Sequence, residues 1–205
     1  MTRSVPRLGL PGVVHRQADE RRTAAEKGIV VAAPSGRGPG TVPAVTRGAT
    51  LPEFTGLMSE PNLISIALVS EDGREFYAEL TDTWGMEECD PFVQEQVLPL
   101  LDGGDVQMTW DELTERLPEW IAAFGRPVRI ATDAVAADWE WIQKICYAAN
   151  SWPTNLSHQP LALPSGIEAF EEARELCYAS GMRRHHALDD AKVSRECWSE
   201  CRYRW

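Results

Sequence analysis

The segment NLISIALVS, residues 62–70, constrains the fold more than any other part of this chain. Its apolar and β-branched residues run without polar alternation, which is the pattern of a strand buried on both faces. An Asp-Gly turn follows at 72–73, and REFYAEL then alternates as a returning strand. The sequence therefore predicts an antiparallel hairpin whose first strand is covered by protein on both sides.

Helical and strand patterns alternate after the hairpin. Thr109 and Glu112 are spaced as a capping box, and Asp90 is placed as an N-cap before a proline. Pro118 is expected to kink or split the helix that Thr109 begins. Helices are predicted over 90–101, 110–124, 137–149, 166–181 and from 186 onward, with short strands over 127–133 and 160–164. This order predicts an α/β fold with a mixed sheet flanked by helices.

The first fifty residues differ in composition from the rest. They contain eight Lys/Arg against three Asp/Glu, and all seventeen aromatic residues of the chain lie beyond position 50. Without aromatic anchors such a segment buries too little apolar surface to offset its ordering entropy. We predict a disordered basic extension over 1–48, either a passive tail or a weak attractor of nucleic acid, and a folded domain over 49–205. Pro43 and Gly48 predict a poorly formed first strand before Glu53.

The folded part is acidic, since the remaining residues carry twelve Lys/Arg and twenty-eight Asp/Glu, and the whole chain has a net charge of −11. This balance argues against a wide surface that tracks phosphates, although bound divalent cations can reverse the sign of a small pocket. Five cysteines without a CxxC pair predict reduced thiols in a cytoplasmic protein. No apolar run is long enough to cross a membrane.

Acidic residues stand where an α/β sheet builds its sites, at strand ends and helix starts. Glu53 follows the first segment, Asp138 follows the strand over 127–133, and Asp190 lies near the start of the final helix. Carboxylates from separate elements suit Mg²⁺ or Mn²⁺, which can activate water for phosphodiester cleavage. His185 fits the role of the base that takes the proton from that water.

Each of these residues also has a purely structural interpretation. Asp138 could be an N-cap, and Asp189 and Asp190 could favour the positive end of a helix. His185 and His186 could be exposed loop residues. The structural interpretation is preferred for His186, Asp189 and also for Asp133, at the end of its strand.

Three motifs, in order, resemble those of the DEDDh 3′–5′ exonucleases, the superfamily that includes oligoribonuclease and RNase T. HHALDDA (185–191) is similar to the family motif HxAxxDA, and EFTGL (53–57) resembles the end of DxExTGL. AADWEW (136–141) is placed like the middle motif. The hairpin after EFTGL is similar to that of a bacterial 3′–5′ exoribonuclease-like branch. The resemblance covers about residues 50 to 200.

The resemblance implies an RNase H-like fold and a site. Glu53, Asp138 and Asp190 would be ligands of two Mg²⁺ or Mn²⁺ ions, and His185 would be the general base. Thr55 and Leu57 would contact the terminal nucleotide. The implied activity is hydrolysis of 3′-terminal phosphodiesters of single-stranded RNA, or short DNA, to nucleoside 5′-monophosphates. Partners would be oligonucleotide 3′ ends and no membrane; dimers are frequent in the family, so a homodimer stays open.

The chain departs from the family pattern at one position, because Leu51 stands where the family has the first Asp of DxE. That Asp normally touches both metals, and leucine offers no lone pair. Three interpretations therefore stay open. The chain is an active exonuclease, or a degenerate one that binds nucleic acid ends or a protein partner without cleaving, or an unrelated acidic α/β interaction module.

Overall fold

The computed structural model describes residues 29–32, 48–54, 62–150 and 152–201 of the chain. These residues form a mixed α/β fold, as the alternating sequence pattern predicts. One sheet contains the seven strands of the described residues, in the order β5-β4-β3-β2-β1-β6-β7. The strands are β1 (Ile29–Ala32), β2 (Gly48–Phe54), β3 (Leu63–Ser70), β4 (Glu75–Leu80), β5 (Gln107–Met108), β6 (Arg129–Thr132) and β7 (Leu161–Ala162).

The sheet combines antiparallel and parallel pairs. Strands β2, β3 and β4 form an antiparallel meander, and β1 lies antiparallel to both β2 and β6. Strand β5 is parallel to β4 and β7 is parallel to β6. The predicted hairpin is confirmed, with Gly73 at a φ of 84° in its turn, a conformation that favours glycine.

Four α-helices follow the hairpin: α1 (Trp110–Ala122), α2 (Val135–Ala148), α3 (Glu168–Ala179) and α4 (Ala187–Cys201). The Thr109 hydroxyl accepts from the backbone N–H of Glu112, so the predicted capping box is confirmed. The region predicted as a helix over 90–101 is irregular, with a π-helical turn at Val93–Val97 and a 3₁₀ turn at Leu98–Leu100.

Helix α1 is not split at Pro118, so that alternative in our prediction is wrong. Pro118 itself is buried, and Leu117 and Ile121 beside it are fully buried. Packing of these side chains in the core offsets the cost of the missing backbone donor, so the helix continues through Pro118.

Helix packing explains why β3 has no polar face. All eight residues of β3 are buried, as the apolar run predicts. Ala67 and Val69 cluster with Ala187 and Ala191 of α4. Ile66 and Leu68 instead belong to the large core cluster that also holds buried residues of α1 and α2. The strand is therefore covered on both faces.

The first strand is better formed than expected, and our prediction of a poorly formed one is wrong. Strand β2 has seven residues and pairs with β3 from Ala49 to Phe54. Among the described residues, β1 pairs with β2 only at Gly48 and Ala49, and the paired partner of Pro52 lies in β3. A proline without a donor is tolerated where one side of its strand makes no ladder.

Strand β1 lies within the segment predicted to be a disordered extension. Ile29–Ala32 instead pairs with β6 at three positions, which joins the two halves of the sheet. The sequence IVVA is short, apolar and β-branched, whereas the glycine and proline residues around it oppose a strand locally.

Cys89, Cys146, Cys177 and Cys197 form no disulfide among the described residues. Within the described ranges no helix combines the length and apolar character needed to cross a bilayer.

The different burial of two leucines predicts different effects of their substitution on the free energy of unfolding. Leu117 is fully buried, whereas Leu176 is 70% exposed. We expect Leu117→Ala to lower the free energy of unfolding by about 3 kcal/mol, because it removes packed methyl groups and leaves a cavity. Leu176→Ala should change it by less than about 0.5 kcal/mol. Urea unfolding followed by circular dichroism measures both, and equal effects would contradict the assigned core.

Candidate active site

Asp138 lies inside helix α2, one turn after the helix begins. The N-cap position belongs to Ala134, so the interpretation of Asp138 as a capping residue is wrong. Its side chain is 1% exposed, and the Thr132 hydroxyl at the end of β6 donates to its Oδ2. The same hydroxyl accepts from the backbone N–H of Ala134 at 3.1 Å. A buried carboxylate is thereby held at the end of β6.

Asp190 occupies the corresponding place on helix α4, one turn after Ala187. It is 2% exposed, and the Tyr178 hydroxyl donates to its Oδ1 at 2.5 Å. Burial, together with the neighbouring Asp190 carboxylate, raises the pKa of Tyr178, which therefore keeps its proton as a donor. Asp190 is thus a second buried carboxylate, fixed from α3.

A half-buried arginine on α3, Arg174, connects these two regions. Arg174 lies 3.8 Å from the Oδ2 of Asp133, directly after β6, and 3.1 Å from Glu171. The Arg174 side chain also interacts with Tyr178, the partner of Asp190. Polar contacts therefore run from the end of β6 through α3 to α4.

Sequence reasoning missed Arg174 and Tyr178 altogether. The only signal for them was their spacing of four residues, which puts both on one side of a helix. Asp133, set aside as a strand-end residue, has a side chain that is only 2% exposed.

His185 stands in the turn that precedes α4. Its backbone has a φ of 63°, in the left-handed region that residues other than glycine seldom adopt. Its imidazole meets the ring of Phe92 edge to face, with centroids 5.0 Å apart. The side chain is partly exposed. The turn therefore holds the imidazole at the start of the helix that carries Asp190.

The register of the sheet fixes where Glu53 lies. Position 53 in β2 is paired with Ser65 in β3, and Ser65 is paired with Glu79 in β4. Leu51 is paired with Ala67, which packs against α4. Since paired residues share one face of a sheet, positions 51 and 53 lie on the face that α4 covers.

His186 and Asp189 belong to a polar cluster with Arg183 and Asp102. His186 is 1% exposed, so its interpretation as an exposed loop residue is wrong. Arg183 Nε donates to Asp189 at 2.8 Å, and Arg183 Nη1 donates to Asp102 at 2.7 Å. The bond from Arg183 is the main cause that lowers the pKa of Asp102. In Asp189, burial acts to raise the pKa, but the hydrogen bonds from Arg183 outweigh it and lower the pKa.

The arrangement thus offers two buried carboxylates and a histidine at the starts of two helices. Among the side chains of the described residues, no three His, Cys, Asp or Glu groups lie together in a way that could hold a metal ion. Thr55 and Leu57 lie outside the described residues, and β2 is described by its backbone pairing alone. A third carboxylate at position 53 would come from the face of the sheet covered by α4.

Comparison with known proteins adds no family. The sequence matches no protein-family model, and it matches no curated protein.

Burial of His186 predicts a pH dependence of stability. Burial, assisted by Arg183, lowers the pKa of His186 below its ordinary 6.5, although Asp189, Asp102 and Glu79 act in the opposite direction. The unfolded chain therefore binds a proton more readily than the folded one as pH falls below 6.5. We expect the free energy of unfolding to fall between about pH 7.5 and about pH 5.5, and to fall less in His186→Gln.

Urea unfolding at the two pH values measures this slope. His158→Gln is the matched control, because His158 is exposed and stacks on Trp152 at 4.3 Å, outside the cluster. It should keep the slope of the natural sequence. An unchanged slope in His186→Gln would assign the pH dependence to other groups.

Proposed function

We propose that this chain is a metal-dependent 3′–5′ exonuclease that removes nucleoside 5′-monophosphates from the 3′ end of single-stranded RNA or short DNA. The observation that carries the proposal is the pair of buried carboxylates, Asp138 and Asp190, each one turn into a helix. Burying a carboxylate is costly, and proteins retain such groups where a structure or a reaction needs them. An antiparallel hairpin beside helix-covered strands also agrees with the RNase H-like arrangement that the motifs imply.

The donor chemistry fits a hard divalent cation. Asp138, Asp190 and Glu53 would hold Mg²⁺ or Mn²⁺ through carboxylate oxygens, the ligands that these cations prefer. When bound, the metal ions would activate water and stabilise the leaving oxygen of the phosphodiester. Thr132 and Tyr178 donate to the two buried carboxylates and orient them.

His185 would take the proton from the attacking water. An imidazole is the most common general base in enzymes, and it must stand within hydrogen-bond reach of the proton it removes. The left-handed turn of His185 and its contact with Phe92 give the ring a defined direction. Thr55 and Leu57 would contact the terminal nucleotide, as the resemblance implies.

A degenerate exonuclease fold is the second candidate, and one observation favours it. Leu51 is paired with Ala67 of β3, so the strand carries a leucine where the family has its first Asp. A chain without that ligand would bind metal weakly, and it could hold nucleic acid ends or a protein partner without cleaving them.

The proposal predicts that purified protein shortens a 5′-labelled oligoribonucleotide from its 3′ end in Mn²⁺. We expect His185→Ala and Asp190→Asn to lower the rate by about 100-fold or more, because each removes a group of the proposed chemistry. Asp105→Asn is the matched control, since Asp105 is an exposed acid outside the site. Denaturing gel electrophoresis measures the products, and circular dichroism checks folding.

Nucleotide release that survives both His185→Ala and Asp190→Asn would reject this site. Binding without shortening would instead support the degenerate fold, in particular if Leu51→Asp brings cleavage back. Because position 51 pairs with the buried residue Ala67, the stability of the Leu51→Asp variant is measured alongside its activity.

A further inference from the structure

The turn that presents His185 needs to be held in place. A residue other than glycine at a φ of 63° is strained, and this conformation persists only where the surroundings enforce it. Arg183 precedes His185 by two residues and His186 follows it directly. Both belong to the polar cluster with Asp102 and Asp189, so contacts on both sides of His185 hold the turn in place.

Arg183 makes most of the contacts in this cluster. Its Nε donates to Asp189 Oδ2 at 2.8 Å, and its backbone N–H donates to the same oxygen at 3.0 Å. Its Nη1 donates to Asp102 Oδ1 at 2.7 Å and contacts the Leu100 carbonyl at 3.3 Å. Its Nη2 lies 3.1 Å from His186 Nδ1. One guanidinium thus joins the turn, the first residues of α4 and a separate loop.

His186 completes the closure from the other side. Its Nδ1 accepts from the backbone N–H of Asp189 at 3.3 Å, so it acts as a cap for α4. Its Nε2 lies 3.3 Å from Asp102 Oδ2, and its ring packs on Tyr77 with centroids 5.1 Å apart. His186 is therefore buried and is also held in position by these contacts.

The loop that receives Arg183 is itself anchored to the sheet. The backbone N–H groups of Asp102 and Gly103 donate to the Glu79 carboxylate at 2.7 and 2.9 Å. The Tyr77 hydroxyl donates to the same carboxylate at 2.6 Å. Glu79 is 2% exposed and lies in β4. Arg183 therefore links the turn to a fixed part of the molecule.

We propose that Arg183, paired with Asp102 and Asp189, is a positioning residue for His185. The catalytic meaning of this inference rests on the proposed function, whereas the geometry it predicts can be measured without any activity. Three nitrogens of the Arg183 guanidinium contact three different residues. A lysine has one side-chain nitrogen and cannot make all three contacts. Loss of the cluster would release the turn and withdraw the imidazole from Phe92.

The test is nuclear magnetic resonance of the histidine rings in Arg183→Lys. The Phe92 ring shifts the His185 imidazole signals through its ring current, and we expect this shift to be lost. The His158 signals serve as an internal control, because His158 stacks on Trp152 and takes no part in the cluster. Assignments come from His185→Ala and His158→Gln.

Kinetics provide the second measurement, with a 5′-labelled oligoribonucleotide in Mn²⁺. Arg183→Lys should lower kcat about ten-fold or more with KM changed less than about two-fold, because a displaced base affects the chemical step. Arg116→Lys is the matched control, since Arg116 pairs with Glu112 at 3.4 Å on the exposed side of α1. It should leave both the kinetics and the His185 signals unchanged.

Two outcomes separate this inference from the proposed function. Unmoved His185 signals in Arg183→Lys, with only a lower melting temperature, would overturn it and leave Arg183 a stabilising residue. Moved signals in a chain that cleaves no RNA would support the positioning of the turn while rejecting the exonuclease. Asp102→Asn, which removes the other charge of the pair, replaces Arg183→Lys if that variant does not fold.

Discussion

Burial of β3 on both faces is the constraint on which the rest of the structure depends. Because all its residues are buried, a shift of one position would exchange the side chains that meet α4 with those that meet α1 and α2. The register of β2 and β4 on this strand is therefore fixed. That register puts positions 53, 65 and 79 in one row, with Glu79 anchoring the loop at Asp102 and position 53 on the face of α4.

The polar groups of the interior follow a common pattern. Asp138, Asp190 and Glu79 are almost completely buried carboxylates, and each accepts from a hydroxyl, those of Thr132, Tyr178 and Tyr77. A hydroxyl bond offsets part of the cost of taking an acid out of water without neutralising its charge. Glu79 also closes a loop by accepting from the backbone N–H groups of Asp102 and Gly103, which indicates a structural role. Asp138 and Asp190 stand at helix starts, where a ligand can be approached.

Sequence alone predicts the parts of this fold that depend on local patterns. The hairpin, the capping box at Thr109 and helices α2 to α4 follow from apolar periodicity and turn chemistry, which act over a few residues. The two first strands do not, because Pro52 and the breakers around Ile29–Ala32 oppose a strand locally while pairing with distant β3 and β6 outweighs them.

The candidate site, like the fold, is predicted only in part from the sequence. Motif spacing picks out Asp138, His185 and Asp190, and the structure gives each an ordered setting. The surrounding partners Arg174, Tyr178 and Asp102 were not predicted, because they come from other elements and no short pattern joins them to the site. The burial of His186 was not predicted either, because a histidine close to two consecutive arginines is expected to be exposed.

The backbone of His185 has a further consequence for how this site could evolve. In the left-handed region, asparagine and glycine are easier to accommodate than histidine. A replacement of either kind would remove the imidazole and relax the turn at once, so the folded state would gain while the proposed chemistry was lost. A histidine at this position therefore costs the folded state more than an asparagine would. A substitution at residue 185 that removed the proposed activity and left a binding role would therefore not destabilise the fold.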